Sequence, residues 1–218
     1  MSRFLLPFKL YLILDQTQTN GRPLVDVVRS ALSAGVPAIQ FRAKGLSLKV
    51  QWESAFTIQE IARVYSIPLL VNDRIDICLA LDAAGVHLPS TGLPIHVARK
   101  MLGHSKLIAA SCHSLTEVQK AESEGADFAV LGPVYDTPTK RLLGHPIGIK
   151  TFGAIKKRTS LPLFAIGGVK QENVKVLFDA GADGVAMVSE ILSAEDVFKK
   201  SADILREITH HPLFSSMG

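Results

Sequence analysis

Short apolar runs alternate with longer amphipathic stretches along the whole chain. Strands of a parallel sheet are covered by helices on both faces, so they are typically near-continuous runs of Val, Ile and Leu. The pattern predicts eight such strands, at Leu10–Leu14, Ala38–Phe41, Leu69–Val71, Val86–Leu88, Leu107–Ala110, Phe128–Leu131, Leu163–Ile166 and Val185–Val188. We therefore expect an α/β fold with one parallel sheet.

Helical periodicity fills the intervals between these strands. Apolar residues recur there three and four positions apart, which is typical of helices that bury one face. The predicted helices are Leu24–Ala34, Leu48–Tyr65, Ile75–Asp82, Ile95–Leu102, Leu115–Glu124, Ile149–Lys157, Val174–Ala180 and Ala194–Ile208. Ser193 is expected to cap the amide protons of the last helix.

A short glycine-containing motif recurs before several strands and indicates a repeated strand–helix unit. It reads Ala34-Gly35-Val36, Ala84-Gly85-Val86, Gly125-Ala126-Asp127-Phe128 and Gly181-Ala182-Asp183-Gly184-Val185, and each glycine is expected to end the preceding helix in a left-handed conformation. Eight such units in 218 residues fit a single closed (β/α)₈ barrel better than an open doubly wound sheet. We place the barrel at residues 1–209 and expect residues 210–218 to form a loose tail.

Composition narrows the class of protein. With 47% hydrophobic residues the chain can bury one sizeable core, and its net charge of +4 comes without a basic block, so we expect no nucleic-acid partner. Cys78 and Cys112 have neither disulfide-framework nor zinc-site spacing, which favours a reducing compartment. The apolar start, Met1 to Leu14, lacks a cleavage site, and no stretch is long enough to span a membrane. We expect a cytoplasmic protein without a membrane partner.

A cluster of polar side chains stands where the second strand ends. In (β/α)₈ barrels the functional groups come from the carboxyl ends of strands and the loops after them. Gln40, Arg42 and Lys44 alternate there, so they share one face, and Arg and Lys together are suited to binding phosphate or diphosphate. Lys140, in the loop after strand 6, could complete this anion site. A solvated basic turn is the alternative.

A second candidate anion site follows the last two strands. Gly167-Gly168 and Ser189 lie where barrels commonly bind a phosphate monoester through backbone amides. A plain tight turn would also explain the glycine pair. Two anion sites facing one cavity suggest an enzyme that joins or rearranges two phosphorylated molecules.

Two further strand ends carry candidate chemistry. Asp73 could bind Mg²⁺ that bridges diphosphate oxygens, or it could cap the helix that follows. His113, after strand 5, is the best candidate proton carrier, although a structural histidine bonded to a loop carbonyl fits equally well. His87 could project into the barrel mouth or pair in the core.

The residues at these strand ends resemble the thiamine-phosphate synthase family, a (β/α)₈ superfamily that also contains thiazole tautomerases. The resemblance runs from Leu10 almost to the C-terminus. It rests on Gln40-Phe41-Arg42-Ala43-Lys44, Val71-Asn72-Asp73-Arg74, Gly85-Val86-His87-Leu88, Ser111-Cys112-His113-Ser114, Gly132-Pro133 with Thr137-Pro138-Thr139-Lys140, and Ile166-Gly167-Gly168-Val169.

The resemblance implies two sets of substrate-binding residues. The aminopyrimidine diphosphate would be bound by Gln40, Arg42, Lys44, Asn72, Ser111 and Lys140, with Asp73 on Mg²⁺. The thiazole phosphate would be bound by Thr137, Thr139, Gly168, Val188 and Ser189. The implied reaction expels diphosphate from the pyrimidine methylene, and the thiazole nitrogen captures the resulting cation. His113, Lys140 and Arg42 are the expected catalytic residues.

The chain departs from the synthase pattern after strand 4. That pattern has a second aspartate that binds Mg²⁺. Here Pro89-Ser90-Thr91-Gly92 follows strand 4, and Gly92 replaces that aspartate. This stretch resembles the tautomerase branch, in which a histidine at the position of His113 shuttles the ring proton. We predict a thiamine-phosphate synthase, with a thiazole tautomerase as the first alternative and a non-catalytic binding protein for thiazole or thiamine phosphate as the second.

Overall fold

Eight parallel strands, hydrogen-bonded in sequence order, close into a barrel in a computed structural model that describes residues 6–137 and 145–212. The strands are β1 (Leu10–Leu14), β2 (Ile39–Phe41), β3 (Leu69–Asn72), β4 (Gly85–Leu88), β5 (Leu107–Cys112), β6 (Phe128–Leu131), β7 (Leu163–Ala165) and β8 (Gly184–Met187). The predicted (β/α)₈ fold is confirmed, and each predicted strand is present with its ends shifted by at most two residues.

Helices follow the strands on the outside of the barrel. In the described part of the chain they are α1 (Leu24–Ser33), α2 (Leu48–Val64), α3 (Ile75–Ala80), α4 (Ile95–Leu102), α5 (Leu115–Ser123), α6 (Gly148–Lys156), α7 (Val174–Asp179), α8 (Ser189–Leu192) and α9 (Val197–Thr209). Within residues 6–137 and 145–212, none of the helices has both the length and the apolar character needed to cross a membrane.

The start of the last helix differs from the prediction. The unpredicted helix α8 lies directly before the expected segment, and Ser193 ends α8 instead of capping α9. Asp196 caps α9, because its Oδ1 accepts a hydrogen bond from the amide of Lys199 at 2.9 Å. The Ser193 prediction was wrong because a single turn of helix immediately after β8 has no periodicity of its own.

The recurring glycines have two different roles. Gly35, Gly125 and Gly181 have φ angles of 96°, 90° and 96°, as expected for residues that end helices in the left-handed region. Gly85 does not: it begins β4, and a Cβ there would lie 2.0 Å from the carbonyl oxygen of Leu107. The prediction for Gly85 was wrong, because this glycine makes space between strands.

Successive side chains along each strand point alternately outward and inward, so the protein has one core beneath the helices and a second core inside the barrel. On β1, Leu12 and its outward neighbours pack under the helices, whereas Tyr11 and Ile13 point into the barrel. Phe8, Phe128 and Phe164 join Tyr11 in an aromatic cluster with ring centroids 5.1–6.5 Å apart. These rings come from residues at or near the strand starts, so they fill the amino end of the barrel and leave the carboxyl end to polar side chains.

The chain beyond α9 is described as far as residue 212. His211 is buried there: its Nε2 lies 3.1 Å from Oδ1 of Asp179, and its ring packs on Phe178 with centroids 5.5 Å apart. Residues 213–218 of the predicted tail lie outside the described residues. The division at residue 209 stays a prediction.

Candidate active site

A cavity of about 1310 Å³ opens where the strands end. Typical small-molecule pockets measure about 300–1,000 Å³, so this one has room for two ligands. All eight strands or the loops after them contribute to its wall, through residues that include Asp15, Arg42, Asn72, His87, Ser111, Thr137, Gly168 and Ser189. The strand ends that were considered separately in the sequence therefore meet at one site.

The side chains predicted to bind the pyrimidine diphosphate begin with the three at the end of β2. Gln40, Arg42 and Lys44 all line the cavity, and they progress from buried through half-buried to exposed. The backbone explains the placement, because the amide of Arg42 still donates to the carbonyl of Leu14 on β1 at 3.2 Å. This bond keeps the chain extended beyond Phe41, so the alternation of side chains continues into the loop.

Asp15 is a residue that the sequence analysis missed. Its Oδ2 forms an ion pair with Arg42, and its Oδ1 accepts hydrogen bonds from the amide and the hydroxyl of Thr17 at 3.0 and 2.6 Å. The pair orients the guanidinium at the wall of the cavity and partly neutralises it. Asp15 is the first polar residue after β1, so the rule applied to the other strand ends would have found it.

The predicted metal ligand, Asp73, lies beside the cavity-lining Asn72. Asp73 is exposed, has a φ of 63°, and donates its backbone amide to the carbonyl of His87 at 2.9 Å. The alternative role as a helix cap finds no support, because Arg74 is the N-cap residue of α3 and the described residues contain no bond from the Asp73 carboxylate to the first turn.

The donor set around Asp73 contains one carboxylate. Within the described residues, no group of three or more His, Cys, Asp or Glu side chains could hold a metal ion. Gly92 is adjacent: a Cβ at this position would lie 2.8 Å from Oδ1 of Asp73. An aspartate at position 92 would therefore place its carboxylate next to that of Asp73. Mg²⁺ is commonly bound by one or two carboxylates plus substrate phosphates, so Asp73 fits as a single protein ligand.

Ser111 lies near the end of β5 and His113 directly follows that strand, and both residues line the cavity. Nδ1 of His113 lies 2.6 Å from the carbonyl oxygen of Gly132. Because a carbonyl only accepts, Nδ1 carries the hydrogen, and Nε2 of the neutral ring is the acceptor. The two alternatives for His113 are therefore compatible: the residue is bonded to a loop carbonyl and still lies at the cavity.

Cys112, between these two residues, is not a candidate nucleophile. Burial raises the pKa of its thiol to about 12, and burial raises the pKa of the Cys78 thiol to about 11. A nucleophilic cysteine needs an accessible thiolate near neutral pH. Both thiols are buried and neither lines the cavity, so neither is a candidate for covalent catalysis.

The glycine pair after β7 approaches the loop after β6 closely. Gly167 and Gly168 have φ angles of 92° and 65°, and a Cβ at Gly168 would lie 2.6 Å from Cβ of Tyr135. The amide of Tyr135 donates to the carbonyl of Gly167 at 2.9 Å. The pair lines the cavity together with Val188 and Ser189. Gly167 and Gly168 therefore form a tight turn and also lie at the candidate phosphate site.

Three predicted residues belong to the loop after β6. Thr137 lines the cavity. Thr139 and Lys140 lie in the segment 138–144, outside the described residues. Their proposed contacts with substrate stay predictions, as do the binding roles of the cavity-lining residues.

Comparison with known protein families gives a consistent match over most of the chain. The sequence model of the family described as thiamine monophosphate synthase matches residues 10–191, from β1 to α8. Two curated relatives are both named thiamine-phosphate synthase. The one from Clostridium novyi is 41% identical over 190 residues, covering 87% of this chain and 93% of the relative. The one from Syntrophomonas wolfei is 39% identical over 201 residues, covering 92% and 96%.

A solved structure has the same fold. Thiamine phosphate pyrophosphorylase from Pyrococcus furiosus superimposes with a TM-score of 0.85 at 34% sequence identity. The match covers 94% of this chain and 96% of that structure. The similarity therefore extends over the barrel and all of its strand ends.

Proposed function

The chain belongs to the thiamine monophosphate synthase family, and on that premise we propose that it is a transferase that makes thiamine phosphate. Its substrates are 4-amino-2-methyl-5-hydroxymethylpyrimidine diphosphate and hydroxyethylthiazole phosphate, and its second product is diphosphate. The observation that carries the proposal is a single cavity with a basic wall at Arg42 and Lys44 and a glycine-lined wall at Gly168 and Ser189.

The basic wall suits the leaving group. The bond between the pyrimidine methylene carbon and the diphosphate oxygen breaks, and its electron pair leaves with diphosphate. The lone pair of the thiazole nitrogen then forms the new carbon–nitrogen bond. Arg42 offers a planar fork and Lys44 a point charge to the oxygens on which negative charge develops. We assign Ser111 and Lys140 to the same anion.

Mg²⁺, when bound, supplies further neutralisation of the diphosphate. Asp73 is the residue that we propose to hold it, with substrate oxygens and water as the other ligands. Asn72 is the neighbouring amide on the cavity wall.

The glycine-lined wall suits a phosphate monoester. Gly168 and Ser189 allow an anion to approach the backbone closely, and Val188 and Thr137 line the space beside them. Holding the thiazole here and the pyrimidine at Arg42 converts an encounter of two molecules into a reaction within one cavity, which is a large part of the rate enhancement in such reactions.

A thiazole tautomerase is the second candidate, because His113 presents an acceptor nitrogen at the cavity. In that reaction His113 would move the ring proton that makes the thiazole aromatic. The synthase ranks first, because a tautomerase has no need of a basic wall for diphosphate. A binding protein without activity is the remaining alternative.

Product analysis tests the proposal directly. The purified protein is incubated with both phosphorylated substrates, with and without Mg²⁺, and separately with the non-aromatic thiazole carboxylate phosphate. Mass spectrometry identifies thiamine phosphate and diphosphate, and ¹H NMR distinguishes the two thiazole tautomers, which have equal mass. We expect thiamine phosphate and diphosphate in equal amounts, formed faster with Mg²⁺. The proposal fails if no thiamine phosphate forms while the non-aromatic thiazole carboxylate phosphate is converted to its aromatic tautomer. Absence of both reactions would favour the binding protein.

Restoring the second carboxylate is expected to strengthen the metal dependence. Gly92→Asp should lower the Mg²⁺ concentration for half-maximal turnover about tenfold, an effect typical of changes around metal sites. The physical reason is proximity: a Cβ at position 92 would lie 2.8 Å from Oδ1 of Asp73, so the Asp73 side chain has to turn aside and the two carboxylates then stand next to each other. Without Mg²⁺ the like charges repel, so the melting temperature of this variant should fall and recover when Mg²⁺ is added.

Gly92→Asn is the matched control for that prediction, because it has the same shape without the charge. Initial rates and thermal melts are measured over a Mg²⁺ titration for both variants. An identical Mg²⁺ dependence of the two variants would contradict a metal site at Asp73.

We also propose the cytoplasm as the compartment and small phosphorylated heterocycles as the ligands. The first inference is supported by Cys78 and Cys112, which are both free thiols. The second is supported by the two walls of the cavity.

A further inference from the structure

A chain of four polar side chains crosses the interior of the barrel beneath the cavity. Tyr11, Gln40, His87 and Ser111 come from β1, β2, β4 and β5, and the first three are at most 3% exposed. Nε2 of Gln40 lies 3.2 Å from the Tyr11 hydroxyl and 2.5 Å from Nδ1 of His87. Nε2 of His87 lies 2.8 Å from Oγ of Ser111. His87 therefore connects two residues that we assign to opposite ends of one substrate.

Each bond in this chain limits the direction of the next one. A neutral imidazole has one N–H and one acceptor nitrogen, so His87 donates at one ring nitrogen and accepts at the other. When Nδ1 of His87 accepts from the Gln40 amide, its Nε2 donates to Ser111. The hydroxyl hydrogen of Ser111 is then available to the cavity.

Tyr11 supports this direction. Burial raises the pKa of its phenol well above the usual range, so the hydroxyl keeps its hydrogen. That hydroxyl lies 3.4 Å from Nδ1 of His87, and the two rings are parallel within 2°. In this arrangement both hydrogens of the Gln40 amide are used inside the barrel, one toward Tyr11 and one toward His87. Within the described residues its Oε1 forms no hydrogen bond, and Gln40 lines the cavity.

We propose that His87 is a positioning residue that couples recognition of the diphosphate at Ser111 to recognition of the pyrimidine ring at Gln40. This inference rests on the proposed function. A diphosphate oxygen only accepts, so it requires the hydroxyl hydrogen of Ser111. That requirement holds His87 in the tautomer with hydrogen on Nε2, and this tautomer leaves the Gln40 carbonyl oxygen to accept from the exocyclic amine of the ring.

The coupling has a consequence for specificity. A pyrimidine with an oxo group in place of the amine would bring an acceptor toward Oε1 of Gln40. Turning the Gln40 amide over would reverse the bond to His87 and then the bond to Ser111, which would lose its donor to diphosphate. A mispaired group in a buried network typically weakens binding about 5- to 150-fold. The oxo analogue is therefore disfavoured at both ends of the substrate.

The tautomer of His87 can be measured without any turnover. Protein labelled with ¹⁵N at its histidines is studied by NMR with inorganic diphosphate, and His87→Gln serves to assign the signal. We expect His87 of the diphosphate-bound protein to be protonated at Nε2 and unprotonated at Nδ1. Protonation at Nδ1 in that complex would overturn the proposal, whether or not the protein forms thiamine phosphate.

A kinetic cycle tests the coupling itself. Gln40→Ala, Ser111→Ala and the double variant are compared by kcat/KM for the pyrimidine diphosphate, first with His87 present and then in a His87→Leu background. Gln40 and Ser111 are joined through His87, so we expect their effects to depart from independence by at least about threefold in the first set and to be independent in the second.

Two outcomes of the cycle would overturn the proposal: independence with His87 present, or equal coupling in both backgrounds. His87→Gln, which can still donate toward Ser111, is the conservative variant and should retain more selectivity for the amino over the oxo pyrimidine than His87→Leu. Thermal melts identify variants that fail to fold, and the NMR measurement on the unaltered protein then decides. If the protein makes no thiamine phosphate, the proposed function fails in product analysis, and the tautomer result stands separately.

Discussion

Replacing Arg42 with alanine is expected to lower kcat/KM for the pyrimidine diphosphate by about 10²- to 10³-fold, the usual cost of removing one donor to a developing anion. Affinity for the thiazole phosphate should be unchanged, because Gly168 and Ser189 belong to the other wall of the cavity. The substitution also leaves the Asp15 carboxylate without its partner in the wall that receives diphosphate. Steady-state kinetics with each substrate varied in turn measures both effects.

The ion pair supplies an internal check on this prediction. Adding Asp15→Asn to Arg42→Ala removes the stranded negative charge and should recover at least about threefold of the lost kcat/KM. Arg158→Ala is the matched control, because this exposed arginine follows α6 at the opposite end of the barrel. Equal losses in Arg42→Ala and Arg158→Ala, or a loss confined to the thiazole substrate, would contradict the assignment of Arg42 to diphosphate.

Gly168→Ala is expected to destabilise the fold by about 2–4 kcal/mol and to weaken binding of the thiazole phosphate at least about tenfold. Two costs add: a φ of 65° disfavours any residue with a side chain, and the new Cβ would lie 2.6 Å from Cβ of Tyr135. The loop after β6 would have to move away, and the shape of the phosphate wall would change with it. Urea unfolding and calorimetry with hydroxyethylthiazole phosphate measure the two effects.

Gly125→Ala separates the two costs. Gly125 has a φ of 90°, but a Cβ there would have no atom within 4 Å, and it ends α5 at the far end of the barrel. Only the backbone cost applies, about 1–2 kcal/mol, and thiazole phosphate binding should not change. If both alanine variants lost the same stability and bound the ligand alike, the close contact with Tyr135 would have no role at the site.

Much of the fold could be predicted because its signals are local. Strands buried on both faces are apolar runs, and helix-ending glycines such as Gly35 and Gly181 stand at a fixed place in each unit. Gly85 belongs to the same local motif, but a glycine is required there because the backbone of Leu107 on the neighbouring strand leaves no space for a side chain. Contacts of that kind depend on strand register, which the local pattern does not contain.

The candidate site divides in the same way. The carboxyl ends of strands were sufficient to bring Gln40, Arg42, Asn72 and Ser111 to one cavity. The partners of these residues were not predictable, because they depend on which strands are neighbours and how far each one extends. The bond from Gln40 to His87 joins β2 to β4, which are separated by β3, and the curvature of the sheet turns the two side chains toward each other in the interior.

The most direct test of the central claim, that one cavity binds the two anions at separate walls, is an experimental structure with thiamine phosphate and diphosphate bound. We expect the diphosphate to contact Arg42, Lys44 and Ser111, and the phosphate of thiamine phosphate to lie against Gly168 and Ser189 in the same cavity. A structure with both anions at one wall, or with the diphosphate away from Arg42, would contradict the account.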